Sequence, residues 1–272
     1  MATNERQPQS VSEMLVEAST VVKATPGKKT TNLAEVRSMQ AQHDAPKAAG
    51  IPVTHRNKRR VILYGDSGTL KTTTACQFPR PYVLQDAISE GAKYLAVPSA
   101  SINGIDEFER EIGKAIADKA IDTLVLDDFD MMMDRWAAAA EDACRSFDKR
   151  QAYKPLYARV IPPLQRAMMS GLNIVITCHA RKDQELGTGK DANFRAYVHP
   201  NLPQALETYL TGVFEVVGYT YNNGTPKSLV NESATDKRRI VGKARVGMVI
   251  STLAAKTGGI VELAQFTAEV LK

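Results

Sequence analysis

The chain has 272 residues, 43% of them hydrophobic and 24% charged, and a net charge of +5. That length suits one large α/β domain with an appendage, or two small domains, with ample apolar material for a core. Cys76, Cys144 and Cys178 lack C-x-x-C spacing, which argues against a disulfide framework or zinc site and for a reducing compartment. No apolar run approaches the ~20 residues of a membrane span, and the polar N-terminus has no signal-peptide core, so the expectation is a cytoplasmic protein with no membrane contact.

Residues 1–57 read as a basic, largely disordered leader, rich in Ala, Thr, Gln, Lys and Pro. Residues 1–60 hold ten Lys/Arg against five Asp/Glu, leaving 25 of each sign in the remainder. The whole basic excess therefore sits at the start, and an acidic partner, nucleic acid first, is the expectation for it. Two short helical islands interrupt the leader. Ser10-Val11-Ser12-Glu13 is a capping-box pattern ahead of Met14, Leu15, Ala18, Val21 and Val22. Thr31–Glu35 starts the second, with Val36 and Met39 on one side. From His55 to Arg60 a basic run abuts the first core strand.

Residues 58–272 then alternate. Arg60–Tyr64 is the first strand, and the helix after it runs to about Phe78. Pro81–Gln85 is the second strand. Phe108, Ile112 and Ile116 mark a helix over Ile105–Lys119, and Ile121–Leu126 is an apolar strand. Helices follow over Met131–Phe147 and Leu156–Met169, the latter bent or interrupted near Pro162-Pro163. Leu172–Cys178 is another buried strand. The segment from Asp183 to about Asn201 shows little periodicity and reads as a long functional loop. Val213–Tyr221, Arg239–Val241 and Met248–Ile250 are later strands. Such alternation implies a mostly parallel sheet covered by helices on both faces, with ligands at the carboxyl ends of its strands.

Between the first strand and its helix stands Gly65-Asp66-Ser67-Gly68-Thr69-Leu70-Lys71-Thr72, followed by Thr73. Strand, small-residue turn, Lys-Thr and helix is the context of a phosphate-binding loop. Backbone N–H groups and the helix N-terminus face the phosphates. Lys71 reaches the β- and γ-phosphates, and the Thr72 hydroxyl holds Mg²⁺. Leu70 stands where the usual pattern has Gly; if that position needs an unusual backbone conformation, Leu carries a steric cost that Gly does not.

The strand Thr123–Leu126 runs into Asp127 and Asp128, the Walker-B arrangement, whose carboxylate faces the metal opposite Thr72. Extended geometry lets only one of the two face it. Position favours Asp127, with Asp128 in reserve. Hydrolysis needs a carboxylate that polarises the attacking water; Asp86 and Glu90 after the second strand are the candidates, with Glu90 favoured for its longer reach and the Gly that follows it. Thr177 and His179, at the end of the strand expected beside that of Asp127, are placed to touch the γ-phosphate or its water. Lys243 and Arg245 alternate on one strand face, and in a ring or filament such a pair can reach a neighbour's γ-phosphate.

Together these segments resemble the RecA-like P-loop ATPases, and more narrowly the phage-type single-domain members grouped with single-strand annealing proteins. The resemblance runs from about Arg59 to Ala255. It rests on Leu63-Tyr64-Gly65 with Lys71-Thr72-Thr73, Leu124–Asp127, Val175–Ala180, Val213–Tyr219 and Lys243-Ala244-Arg245. It implies ATP and Mg²⁺, an acid after the second strand as water activator, and Lys243 and Arg245 acting in trans. It also implies a homo-oligomer, ring or filament, acting on single-stranded DNA in recombination or annealing, with a single-strand-binding or replication protein as a further candidate partner. A nucleotide-gated adaptor of helicase-loader type, with little hydrolysis, is the second reading. A small-molecule kinase is the third, disfavoured because no Arg-rich lid follows the sheet.

Overall fold

A computed structural model describes residues 58–272 apart from 90, 187–193, 235–237 and 246–247, so the leader and its helical islands lie outside the described residues. The first strand, β1 (Arg60–Gly65), is buried along almost its whole length. Its alternate side chains go to opposite faces. Ile62 and Tyr64 enter one apolar cluster, Val61 and Leu63 another. The same split recurs in β4 (Thr123–Asp127), where Leu124 and Leu126 face the first cluster and Val125 the second. Strands buried on both faces read as continuous apolar runs, which is why these were visible in the sequence.

Parallel pairing builds the centre. The order is β3 (Ser99–Ile102), β2 (Pro81–Asp86), β4, β5 (Asn173–Leu186), β1 and β7 (Val216–Asn222). All five of those pairings are parallel. Antiparallel additions extend the β7 side through β8 (Pro226–Leu229) and β12 (Ile260–Glu262). This is the mostly parallel, helix-covered α/β sheet expected of a RecA-like P-loop NTPase. Strand β5 lies between β1, which leads into the phosphate loop, and β4, which ends in Asp127.

On the first face pack α2 (Ile105–Ala117), α3 (Phe129–Ala143), α4 (Tyr153–Met169) and α5 (Gln204–Val213). Phe108, Phe129 and Trp136 form an aromatic group there, the Phe108 ring 6.1 Å from Phe129 and 5.1 Å from Trp136. The second face takes α1 (Lys71–Ala75), α6 (Val249–Lys256) and α7 (Leu263–Leu271), through Ala75, Ala254 and Phe266 among others.

Several expectations change, four of them at or near the site or in the type of element. The helix after the phosphate loop ends at Ala75, capped by the Cys76 N–H, rather than reaching Phe78. Helix α4 passes through Pro162 and Pro163 uninterrupted, its buried Val160, Pro163, Leu164 and Ala167 offsetting the missing backbone donors. Met248–Ile250 is no strand: Val249 opens α6, which buries Ile250 and Ala254 four residues apart, and so short an apolar run fits either structure by pattern alone. The segment after Asp183 is a hairpin rather than a structureless loop. β5 continues past the sheet and pairs antiparallel with β6 (Phe194–Pro200), from Ala180 opposite Pro200 to Leu186 opposite Phe194. Its exposed residues are polar on both sides, so no alternation marks it. A strand of Arg238–Ile240, β10, adds to β6 in parallel.

Phe108→Ala is expected to cost about 3–5 kcal/mol in urea unfolding, because it empties the centre of the aromatic group. The fully exposed Phe147 should change by less than about 0.5 kcal/mol on the same truncation.

Candidate active site

The end of β1 approaches β7 so closely that a Cβ on Gly65 would collide with the Thr220 carbonyl oxygen. Beyond it the chain turns. Gly68 has φ 76° and Leu70 φ 63°, both in the left-handed region. Leu70, 46% exposed, precedes α1 in this conformation without packing into a core. The position that usually holds Gly thus does require Gly-like geometry, and Leu meets it at a cost of about 1 kcal/mol. Thr69 Oγ1 donates to the Asp66 carbonyl at 2.8 Å, and Thr74 Oγ1 to that of Leu70 at 2.8 Å, which fixes the turn at both ends.

Lys71 is 6% exposed, its ammonium donating to the carbonyls of Gly65 (3.1 Å) and Asp66 (2.9 Å). Burial pushes this ammonium below its ordinary pKa, against the opposing pull of Asp128, Cys178, Asp130 and Asp127. A cation held dry among small residues has unspent attraction for phosphate oxygens. Residues Ser67–Thr73 line a cavity of about 330 Å³ together with Gly91, Tyr94, Leu95, Asp128 and His179.

Thr72 Oγ1 donates to Asp127 Oδ1 at 2.8 Å, and Thr177 Oγ1 donates to the same oxygen at 2.6 Å. The Thr177 hydroxyl also accepts from the Asp128 N–H at 3.0 Å. Thr177 therefore positions Asp127: its one donor is given to that carboxylate, and it is absent from the cavity lining. Asp127 is fully buried, and burial raises its carboxyl pKa despite the two threonines. Its Oδ2 has no hydrogen-bond partner. A Cβ on Gly91 would stand 3.4 Å from that Oδ2 and 3.5 Å from Thr72 Oγ1. An orphaned buried carboxylate oxygen beside a hydroxyl, with only a glycine over it, fits a hard divalent cation such as Mg²⁺.

Asp128 does not continue the strand: at φ 50° and ψ 47° it turns the chain into α3. The extended geometry that would send neighbouring acids to opposite sides therefore ends at Asp127, and Asp128, unlike Asp127, is in the cavity lining, its Oδ2 accepting from Ser89 Oγ at 2.7 Å. A left-handed non-glycine residue at this spot is strain located at the site.

Of the two acids expected to activate water, Glu90 lies outside the described residues. Asp86 is 1% exposed and ion-paired with Arg135 at 2.7 Å, and its Oδ1 accepts from the Ile88 N–H at 2.9 Å. It is absent from the cavity lining. His179, opposite Gly65 in the β1–β5 register, does line it. Its Nδ1 lies 3.0 Å from Asp130 Oδ2, and that hydrogen bond raises the imidazole pKa; burial and Lys71 oppose, and Asp128 adds.

Lys243 and Arg245 are not brought to the loop. Lys243, in the short strand β11 (Lys243–Ala244), pairs with Val217, three positions before the Thr220 that faces Gly65. At ~3.3 Å per residue this is about 10 Å toward the opposite edge of the sheet. Its ammonium donates to the carbonyls of Thr211 (2.8 Å) and Gly212 (3.1 Å) at the end of α5, and Arg245 lies 3.9 Å from Glu215. Asp130 carried no expectation from the sequence, since its role depends on the turn at Asp128.

Leu70→Gly should relieve the left-handed strain, leaving the fold as stable or up to about 1 kcal/mol more stable with nucleotide affinity retained; loss of binding would show that the Leu side chain is itself needed. Thr177→Val keeps the shape but removes the donor to Asp127. The Mg²⁺ concentration for half-maximal nucleotide binding is expected to rise by about tenfold or more.

A KaiC-like protein from Pyrococcus horikoshii is similar at 14% identity and a TM-score of 0.36, over 67% of this chain and 88% of its own. A flagellar accessory protein, FlaH, from Methanocaldococcus jannaschii is similar at 13% identity and a TM-score of 0.33, over 68% of this chain and 81% of its own. Likenesses this distant carry no argument about function. No curated protein matches the chain. A family model described as AAA domain matches residues 57–246, which spans the phosphate loop, Asp127, His179 and the hairpin. With well over half of its length in that match, the chain belongs to the AAA domain family of nucleotide-binding P-loop ATPases.

Proposed function

We propose that this protein binds MgATP at Ser67–Thr73 and uses it to control its hold on single-stranded DNA, as a homo-oligomer of the recombination or annealing type. The observation that carries the nucleotide half is the Thr72–Asp127–Thr177 chain of hydrogen bonds, at 2.8 Å and 2.6 Å, at the foot of a loop whose lysine is buried. Lys71 would hold the phosphates, Thr72 and Asp127 the Mg²⁺, which neutralises charge on the phosphates.

The DNA half rests on two features. The chain's whole basic excess falls in residues 1–60, the leader together with Lys58, Arg59 and Arg60 at the start of the core. The β5–β6 hairpin starts at the active edge, and its Lys182 contacts Asp66 of the loop at 3.2 Å, with Arg181 exposed next to it. Arg181 is paired with Asp183 at 3.0 Å, and an arm tied to the phosphate loop through Lys182 is a route by which nucleotide can alter DNA affinity. Within an oligomer, Arg245 is the residue better placed to reach a neighbour's nucleotide, because Lys243 already holds the end of α5.

The second reading, a nucleotide-gated adaptor with little hydrolysis, draws on one observation: Asp86 is ion-paired with Arg135, which leaves Glu90, outside the described residues, as the remaining acid expected to act on water. Among the described residues no helix is long and apolar enough to cross a membrane.

MgATP is expected to tighten binding of a labelled single-stranded oligonucleotide by about fivefold or more, and the oligonucleotide to tighten MgATP equally. Lys71→Ala should abolish both effects. Equal DNA affinity with and without MgATP, in a protein that binds MgATP, would remove the DNA half of the proposal.

A further inference from the structure

We infer that the groove between α3, α4 and the turn ahead of α2 is a second ligand site, which takes a small aromatic carboxylate on the donors of Trp136 and Arg135. It has no lining residue in common with the phosphate cavity, and the inference stands apart from the nucleotide reading.

The groove encloses about 520 Å³, against about 330 Å³ at the phosphate loop, and lies within the usual size of small-molecule sites. Its space comes from the sequence of α3. Trp136, Ala139, Ala140 and Ala143 follow one another at helical spacing on the face that lines the groove. The alanines are too short to fill the gap to Pro155 and Leu156 of α4, and Ile105 at the start of α2 lines it too. A stripe of small side chains is by itself only a thin wall. Two donors make this one a site.

Trp136 is 5% exposed, and its ring is held 5.1 Å from that of Phe108. Its Nε1 has no hydrogen-bond partner among the described residues. A buried indole N–H ordinarily finds an acceptor, and leaving that bond unmade is costly. The neighbouring Arg135 also lines the groove, and its buried Nε is without a partner as well. The rest of that guanidinium is engaged: Nη2 donates to the Ile102 carbonyl and lies 2.7 Å from Asp86 Oδ2. Two consecutive residues thus bring two unanswered donors to the lining of one apolar groove.

An occupant therefore needs an apolar body for the walls and acceptors for the donors. A carboxylate supplies two oxygens that accept and never donate. Arg159 adds a cation to the lining. Its ion pair is with Asp106, which is 87% exposed, and so exposed a pair holds a side chain weakly. An aromatic body adds a ring contact with the indole. Because Arg135 also pairs with Asp86, the ligand and the end of β2 would hold the same side chain.

The test uses the full-length protein labelled with ¹⁵N. Trp136 is the single tryptophan of the chain, so its indole N–H gives one cross-peak that reports on this groove alone. Titration with 2-naphthoate should move that peak to lower field and saturate at one molecule per chain, equally with and without MgATP. Naphthalene, the same apolar body without an acceptor, should bind at least about fivefold more weakly and produce no low-field shift. Ala140→Leu fills the groove and should weaken 2-naphthoate by about tenfold or more. Ala139→Leu, at an exposed position, makes the same test if Ala140→Leu unfolds. The inference is overturned by a Kd for 2-naphthoate above about 1 mM. Equal affinity in wild type and the leucine variant, equal binding of naphthalene, or displacement of 2-naphthoate by MgATP overturns it too.

Discussion

The Asp127 carboxylate joins the parts of this site. It is fully buried at the end of β4, yet one oxygen receives hydroxyls from Thr72 on α1 and Thr177 on β5. Three elements from distant parts of the chain therefore converge on a single atom. A buried carboxylate is costly unless hydrogen-bonded or neutralised, and two threonines satisfy only one of its oxygens. The second remains without a partner beside Gly91. The site thus combines a deficit of positive charge at Asp127 with a buried positive charge at Lys71. In the proposed function MgATP would answer both, the cation at the carboxylate and the phosphates at the ammonium.

Strain at the two turns belongs to the same arrangement. Leu70 and Asp128 both sit in the left-handed region, one ahead of α1 and the other ahead of α3. Each turns the chain sharply enough for a helix to start at the sheet edge. At Asp128 the turn also brings Asp130 under His179. The β5–β6 hairpin then leaves from the same point, bound back to the site through Asn201 and Lys182. Events at the phosphates and the position of the hairpin therefore share one set of contacts, which is the physical content of nucleotide control in the proposed function.

The sequence made much of this legible, for identifiable reasons. β1, β4 and the first half of β5 are buried on both faces and so appear as unbroken apolar runs. The phosphate loop is local, so its residues can be recognised from their order alone. Asp127 follows from being the first acid after such a run, and the unusual backbone demanded of Leu70 follows from comparison with the loop's usual glycine. The hairpin after Asp183 and helix α6 were not legible, since the first has polar residues on both sides and the second opens with a run short enough for a strand.

The chain's order of residues thus determined the parallel sheet, the loop and the acid that ends β4, because each depends on local pattern or continuous burial. Only the tertiary structure decided what the remaining polar groups do. Thr177 turned out to hold Asp127, Asp86 to be engaged by Arg135, and Lys243 to close the end of α5. Asp130 came to lie against His179, 49 residues away. These assignments depend on which side chains meet across elements far apart in sequence, and that is settled by strand order and by the two left-handed turns.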